Sequence, residues 1–355
     1  MKHKSLFLLG SFLLLFATSL WAVPTEVKRI VNKNFKVGQN CELQVNNKYG
    51  YIVIQQWDKN EIDFSIEIIG KGENPKVAQR MADQISIDFH NMNKLVQATT
   101  LIERQRNNNC RNCGFTINYT INVPASVKLN LTNKYGNIQL DETTQPFRAD
   151  IKYGNLYASS LKGTNNEITI KYGNIELSES EKLLLNIGYG NVHLDKITQL
   201  NLNSTYSKFD LGTVGSLEMT SKYDRFIIKS IDSFIILSSA YTDFTIDYLG
   251  KRFDASSLRY CKVKITEVAQ NFNSILIEAG YTTIRIGLDN HYNFMADLYN
   301  RYGSIRLNGI KLSDVTLDDN DNRYSKTIRG RVGNQTDPQA KVKISNSYAD
   351  IIFSK

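Results

Sequence analysis

The chain has 355 residues with a formal net charge of +8, and 41% of its residues are hydrophobic. This apolar content excludes a disordered chain, while a mean hydropathy of -0.33 excludes a polytopic membrane protein. The length indicates two domains or one elongated repeat domain. Gly, Tyr and Phe are abundant, and β-branched and aromatic residues occur in short alternating runs. These runs exclude a helical bundle and predict a mostly β protein.

Residues 1–22 have the pattern of a secretory signal peptide. Lys2 and Lys4 form a basic start, residues 6–15 form an apolar run too short to span a bilayer, and Ala22 ends a cleavage site. No later segment is a transmembrane candidate. The sequence therefore predicts an exported, soluble protein that is periplasmic, associated with the outer membrane or extracellular. Its basic charge suits anionic envelope polymers, and we expect no nucleic-acid partner.

Residues 23–125 predict an N-terminal, strand-rich cap with one short helix. Alternating strands are expected over 43–57, 62–69, 85–89, 95–102 and 115–123. Asn74 and Pro75 are the N-cap and first-turn residues of the expected helix. Such a cap would cover the open end of the repeat that follows.

Residues 126–355 contain a repeat of 17 to 21 residues that is marked by tyrosine. Its signature is Lys-Tyr-Gly-Asn followed by an apolar residue. The four most regular copies contain Tyr135 and Gly136, Tyr153 and Gly154, Tyr172 and Gly173, and Tyr189 and Gly190. The series continues at Tyr206, Tyr223, Tyr241, Tyr260, Tyr281 and Tyr302 and ends at Tyr348, and an early copy stands alone at Tyr49.

Apolar residues alternate on both sides of each tyrosine, and the alternation changes parity there. Inward positions are expected four residues before tyrosine, as at Leu131 and Leu237, and three and five after it, as at Ile138 and Leu140. The change requires an extra residue, and we expect Gly and Asn to adopt the left-handed backbone. By the same alternation the tyrosines share the buried face. We therefore expect them to stack in the core rather than to form a sugar-binding platform.

A repeat this short cannot bury its own apolar face, whereas stacked repeats form one continuous core. The sequence therefore predicts an all-β, right-handed parallel β-solenoid, of β-helix or β-roll type, with about 11–12 short coils. Constant register relative to tyrosine favours this fold. An antiparallel sandwich is the alternative that short strands and regular turns also permit.

Basic residues precede many of the repeat tyrosines and would form a ladder if the coils are in register. Lys48 precedes the early copy, and the candidate binding residues are Lys134, Lys152, Lys171, Lys222, Arg259 and Arg301. One interpretation is a binding surface for an anionic polymer, and the other is a solvated edge of the sheet.

The four cysteines suggest structural roles. Cys110 and Cys113 have the spacing of a small disulfide in an oxidising compartment. Redox catalysis would need a thioredoxin-like βαβ context, and zinc would need a second ligand pair; the sequence has neither. Cys261 replaces the glycine of its repeat, and Cys41 is the fourth cysteine.

No catalytic or metal-binding pattern is evident. The histidines outside the leader are far apart, and His193 is expected to point outward from a strand. Asp318, Asn320 and Asn322 have the alternate spacing of a calcium loop, but Arg323 replaces the required glycine, which favours a solvated turn. HExxH, GxSxG, P-loop and Rossmann patterns are absent. We therefore expect no cofactor, no metal and no enzymatic activity.

The recurring Lys-Tyr-Gly-Asn-Ile-x-Leu coils resemble the putative-adhesin family of bacterial envelope proteins, above all its Bacteroidetes members. Asn47-Lys48-Tyr49-Gly50 and Trp57-Asp58-Lys59 carry the same resemblance near the N-terminus. It covers nearly the whole chain after the leader and implies a β-solenoid without catalytic residues to carry over. Later coils drift from Gly-Asn to pairs such as Ser207-Lys208, which leaves the apolar register intact.

The resemblance and the repeated surface together imply a non-enzymatic adhesin or scaffold. Its partner would be an envelope or host glycan or protein, and an anionic partner would fit the basic ladder. Two alternatives are a structural or signalling component of the periplasm and a polysaccharide-active β-helix enzyme.

Overall fold

A computed structural model describes residues 25–103, 112–317 and 324–354. The predicted signal peptide and the calcium-loop candidates Asp318, Asn320 and Asn322 lie outside these ranges. Within them, no helix is long and apolar enough to cross a membrane.

The N-terminal region forms strands and one helix in the expected order. The elements are β1 (Thr25–Lys36), β2 (Glu42–Lys48), β3 (Ile52–Trp57), β4 (Glu61–Gly72), α1 (Pro75–Asp83), β5 (Ile85–Met92), β6 (Leu95–Ile102) and β7 (Gly114–Pro124). Asn74 is the N-cap of α1, and its side-chain oxygen accepts the backbone N–H of Val77 at 3.0 Å. Antiparallel pairs β1–β4, β4–β7 and β5–β6 organise this end of the molecule.

The rest of the chain consists of strands that wind into coils. They are β8 (Lys128–Lys134), β9 (Ile138–Thr143), β10 (Phe147–Lys152), β11 (Leu156–Leu161), β12 (Asn166–Lys171), β13 (Ile175–Gly188), β14 (Asn191–Thr205), β15 (Lys208–Lys222), β16 (Arg225–Ala240), β17 (Asp243–Arg259), β18 (Lys262–Val268), β19 (Ser274–Gly280), β20 (Thr283–Gly287), β21 (Phe294–Arg301), β22 (Ile305–Arg306), β23 (Leu312–Leu317), β24 (Ser325–Val332), β25 (Lys341–Ser347) and β26 (Ile351–Ser354).

Successive coils pair in parallel and in register. Lys134 pairs with Lys152 and Lys152 with Lys171, one repeat apart each time. The same register continues through β13, β14 and β15. The fold is therefore a parallel β-solenoid, and the antiparallel sandwich is ruled out.

The core is a stack of equivalent inward side chains. Three residues after each tyrosine, Phe209 and Phe226 are buried, with ring centroids 4.3 Å apart. Leu237 was expected to point inward but is 48% exposed, and Ile236 is buried in its place. The prediction was wrong because the β15–β16 register shifts after Met219, which adds one residue to that coil.

Both ends of the stack depart from chain order. At the N-terminal end, β2 and β3 stack on β8 and β9, which follow much later in the chain. At the other end, β25 lies between β19 and β21, and β26 lies between β20 and β22. The β-solenoid has about 8 turns, against the about 11–12 short coils expected.

The C-terminal coil, which is last in the tyrosine series, is inserted within the stack. The ring of Tyr348 stacks between those of Tyr281 and Tyr302, at 4.6 and 4.9 Å. The physical reason is the antiparallel hairpin of β23 and β24. Because β24 pairs with one edge of β21, the C-terminal strand β25 occupies the other edge.

Candidate binding surface

Each coil turns at its tyrosine, and the tyrosine itself has the left-handed backbone. In twelve repeats its φ lies between 51° and 64°. The expectation that the following Gly or Asn would adopt this conformation was wrong. Glycine is required for a different reason: a Cβ on Gly136 would lie 1.7 Å from the carbonyl oxygen of Gly50, and one on Gly154 would lie 2.0 Å from that of Gly136. The corner glycines therefore allow adjacent coils to approach.

The corner tyrosines form a stacked column on the surface of the solenoid. In stacking order the tyrosine column contains Tyr49, Tyr135, Tyr153, Tyr172, Tyr189, Tyr206, Tyr223, Tyr241, Tyr260, Tyr281, Tyr348 and Tyr302. Neighbouring ring centroids are 4.6 to 5.1 Å apart. Each residue is 39% to 49% exposed, so the predicted stacking is confirmed but its location in the core was wrong. The side chain points outward because the parity change falls at the tyrosine itself.

Stacking covers the faces of the tyrosine rings. At one end, Phe115 packs edge-on against Tyr49 with centroids 5.4 Å apart. At the other end, the tilted ring of Tyr324 lies 5.2 Å from that of Tyr302. Because a sugar stacks on a ring face, the column offers sugars its edges rather than a platform.

Four lysines lie side by side next to this column. Lys48, Lys134, Lys152 and Lys171 occupy one register position in four adjacent strands, and together they form the lysine strip. Neighbouring strands of a sheet lie about 4.8 Å apart, which sets the spacing of the lysine backbones, and the adjacent tyrosine rings are correspondingly 5.0 to 5.1 Å apart. The ion pairs found among the described residues involve none of the four. The strip is therefore a concentrated positive charge that no described carboxylate pairs with.

The other three candidate residues do not join this strip. Gly188 and Thr205 separate Lys171 from Lys222, and Ala240 separates Lys222 from Arg259. Gly280 and Ser347 separate Arg259 from Arg301. Lys222 and Arg301 lie 5.2 and 4.9 Å from the ring centroids of Tyr223 and Tyr302, and Lys134 of the strip lies 4.9 Å from that of Tyr135. The sequence ladder is thus one continuous strip of four and three isolated cations.

A groove begins where the lysine strip ends. It has a volume of about 370 Å³ and is lined by Lys171, Tyr172, Tyr189, Asn186, Gly188 and Asn203. The amide of Asn203 donates to Oδ1 of Asn186 at 3.1 Å. Sequence reasoning missed this groove, although the loss of the basic residue at Gly188 and Thr205 was visible in the repeat.

Some basic residues on other faces are matched by acids. Arg148 lies 2.8 Å from Glu167, and Lys162 lies 3.2 Å from Glu142. His193 is outward and half exposed, as predicted, and its ring nitrogens lie near carboxylates of neighbouring residues. No group of three or more His, Cys, Asp or Glu side chains in the described ranges is arranged to hold a metal.

The described cysteines have structural surroundings. Cys113 is disulfide-bonded; its expected partner Cys110 lies outside the described residues, so that pairing stays a prediction. Cys41 and Cys261 are buried free thiols, and burial raises the pKa of both. The Cys261 thiol donates to the carbonyl oxygen of Arg259 at 3.2 Å, so it lines a corner as the glycines do elsewhere.

Comparison with known proteins yields structural matches alone. No family model and no curated protein matches the sequence. A putative adhesin of Parabacteroides merdae is 7% identical with a TM-score of 0.34, over 92% of this chain and 97% of that chain. A putative adhesin of Bacteroides fragilis is 10% identical with a TM-score of 0.31, over 91% and 97%. A putative lipid binding protein of Parabacteroides distasonis is also 10% identical with a TM-score of 0.31, over 92% and 97%.

Solved structures named putative adhesins are therefore among the matches, as the resemblance in the sequence implies. At this similarity, no binding property is transferred to the present chain.

Proposed function

We propose that this protein is an exported, non-enzymatic binding protein whose lysine strip holds an anionic polymer of the cell envelope or of a host surface. The observation that carries the proposal is the row of four adjacent lysines, none of which forms an ion pair with another described residue. Like charges on neighbouring strands repel each other, which disfavours the unbound strip. An anionic polymer laid along the row would relieve that repulsion.

The solenoid gives the strip its binding geometry. Lys134, Lys152 and Lys171 are fixed at their backbones by parallel strand pairing on both sides, and Lys48 is paired with Lys134 on one side, so the row is evenly spaced. A single exposed ion pair contributes only about 0–1 kcal/mol. Four contacts to one polymer act together, because each later contact is intramolecular once the first has formed. Affinity should therefore depend strongly on polymer length and on salt.

The chemistry of the strip favours binding over catalysis. General acid–base catalysis needs groups of different character that converge on one reacting atom. The strip instead repeats a single group, the ammonium, at even intervals along a surface. Such a row matches a ligand with repeating charge.

Charge reversal tests the proposal. We expect Lys134→Glu, Lys152→Glu and Lys171→Glu together to abolish binding of the purified protein to polygalacturonate at low salt. The matched control combines Lys229→Glu, Lys264→Glu and Lys341→Glu, which changes the net charge equally at exposed positions outside the strip. The control should retain most of the affinity. Equal losses in both triple variants would contradict the proposal, because they would show dependence on net charge alone.

A further inference from the structure

We propose that the groove next to Lys171 is a subsite for one sugar ring, so that the ligand of the strip is an acidic polysaccharide. This inference rests on the proposed function of the lysine strip and specifies its ligand class. Polyphosphate and anionic lipid surfaces are the competing sources of negative charge.

The groove continues the line of the strip. Gly188 pairs in register with Lys171, so it occupies the next position of the row. A polymer held by the four lysines and running along the stack therefore passes over Gly188. The next position, Thr205, is also small and uncharged. The ligand thus meets no charged side chain at the two positions after the last ammonium.

Gly188 is not required by the backbone. It does not have a positive φ, and a Cβ there would meet only Thr205, with Cγ2 at 3.5 Å and the carbonyl oxygen at 4.0 Å. By contrast, a Cβ on Gly190 would lie 2.0 Å from the carbonyl oxygen of Gly173. The fold therefore demands glycine at 190 but permits a side chain at 188. The absence of a side chain at Gly188 therefore leaves the space that forms the groove.

The lining of the groove suits a sugar better than a phosphate. The edges of Tyr172 and Tyr189 line it together with the amides of Asn186 and Asn203. The described residues provide no acceptor for the side-chain amide of Asn186, whose oxygen is already bonded to Asn203. A sugar ring combines apolar C–H groups with hydroxyls, and ligand sites combine apolar lining with a few polar groups in the same way. At about 370 Å³ the groove is small for a ligand site, which fits one ring.

Filling the groove separates this inference from simple charge attraction. We expect Gly188→Leu to weaken binding of polygalacturonate about tenfold, the scale of a few lost hydrogen-bonded contacts. Binding of polyphosphate should be unchanged, because the lysines remain. Gly188→Lys should strengthen polyphosphate binding, since it adds a fifth ammonium to the row, and should still weaken polygalacturonate binding. Gly188→Ala, which fills little of the groove, is the matched control.

The outcomes distinguish the groove from the strip. If Gly188→Leu binds both polymers as the unmodified protein does, the sugar subsite is wrong and the strip still stands. If Gly188→Leu weakens both polymers equally, the groove is part of a general anion site and the assignment to a sugar is overturned. If the charge reversals in the strip leave polygalacturonate binding intact, the proposed function fails, and with it the subsite. Thermal unfolding of each variant verifies that the fold is unchanged.

Discussion

The first and second halves of the solenoid turn their corners with different residues. From Tyr135 to Tyr189, glycine follows each corner tyrosine. From Tyr206 to Tyr281 the following residues are Ser207, Asp224, Thr242, Cys261 and Thr282, all of them buried, while Ala349 and Gly303 follow the last two tyrosines of the column. Tyrosine nevertheless keeps its left-handed φ in both halves. The comparison shows that tyrosine determines the corner conformation. The size of the residue after it varies with the space available in the core beneath the corner.

The inward residue two positions before tyrosine explains where that space comes from. In three of the glycine coils this position is Ile151, Ile170 or Ile187, and in the first it is Asn133; Cδ1 of Ile187 would lie 3.0 Å from a Cβ on Gly190. In the following coils it is Ser204, Ser221 and Ser239. At these six corners a large inward residue accompanies glycine and a small one accompanies a side chain, whereas Cys261 occurs with the large inward residue Leu258.

The exchange of size also changes the chemistry of the corner. Ser221 and Ser239 hydroxyls lie 2.7 Å apart, and the Thr242 hydroxyl lies 3.4 Å from Ser221. Asp224 accepts the hydroxyl of Ser204 at 2.5 Å and the backbone N–H of Ser207 at 2.7 Å. An apolar corner in the first half therefore becomes a buried, hydrogen-bonded seam in the second. Polar groups are tolerated there because they satisfy one another.

The largest expected effect comes from adding one methyl group to a corner glycine. A Cβ in Gly173→Ala would lie 1.8 Å from the carbonyl oxygen of Gly154, so the coils must separate. We expect a loss of about 3 kcal/mol, at the upper end of overpacking effects. Thermal or denaturant unfolding measures it. Gly188→Ala is the control and should be nearly neutral; equal losses in the two variants would contradict the role given to corner glycines.

A smaller effect tests the tyrosine itself. Tyr172→Ala removes two ring contacts, to Tyr153 and Tyr189, and should cost about 2 kcal/mol. Tyr172→Gly loses the same contacts but relieves the left-handed backbone, which costs other residues about 1–2 kcal/mol. The glycine variant should therefore unfold at the higher temperature of the two. A higher unfolding temperature for Tyr172→Ala than for Tyr172→Gly would contradict a left-handed backbone at this position.

Replacing the residues of a glycine corner with those of a serine corner tests the comparison further. Gly190→Ser with Ile187→Ser copies Ser207 and Ser204 into a glycine coil. If the sizes of the corner residue and the inward residue compensate each other, the losses of the two single variants should not add. The double variant should be more stable than their sum predicts, by about 1 kcal/mol. Unfolding free energies of the four proteins in this cycle provide the test, and strict additivity would argue against exchange.

The smallest effect concerns pH and the buried carboxylate of the second half. Burial raises the pKa of Asp224, so the folded protein holds this proton more tightly than the unfolded chain. Its contribution to stability should therefore fall as pH rises from the ordinary aspartate range through the raised pKa. Unfolding temperatures measured across that range should show this fall relative to Asp224→Asn. Parallel curves for the two proteins would contradict it.

The spacing of the repeat was enough to predict the parallel stack, because constant register determines which residues become neighbours. The lysine strip followed from the same register at Lys134, Lys152 and Lys171. The left-handed residue could not be predicted in this way, because intrinsic preference favours Gly and Asn, whereas close approach of coils and ring stacking place Tyr there. The position of Tyr348 depends on β24 covering one edge of β21, which no local pattern encodes.

The measurement that tests the account most directly is the affinity of Lys48→Glu for polygalacturonate, compared with Lys134→Glu. Lys48 is far from Lys134 in sequence, yet the register places it next to Lys134 at the end of the strip. The account predicts similar losses of affinity in the two variants and a weaker salt dependence in both. Unchanged affinity for Lys48→Glu beside a clear loss for Lys134→Glu would contradict a continuous strip as the binding surface.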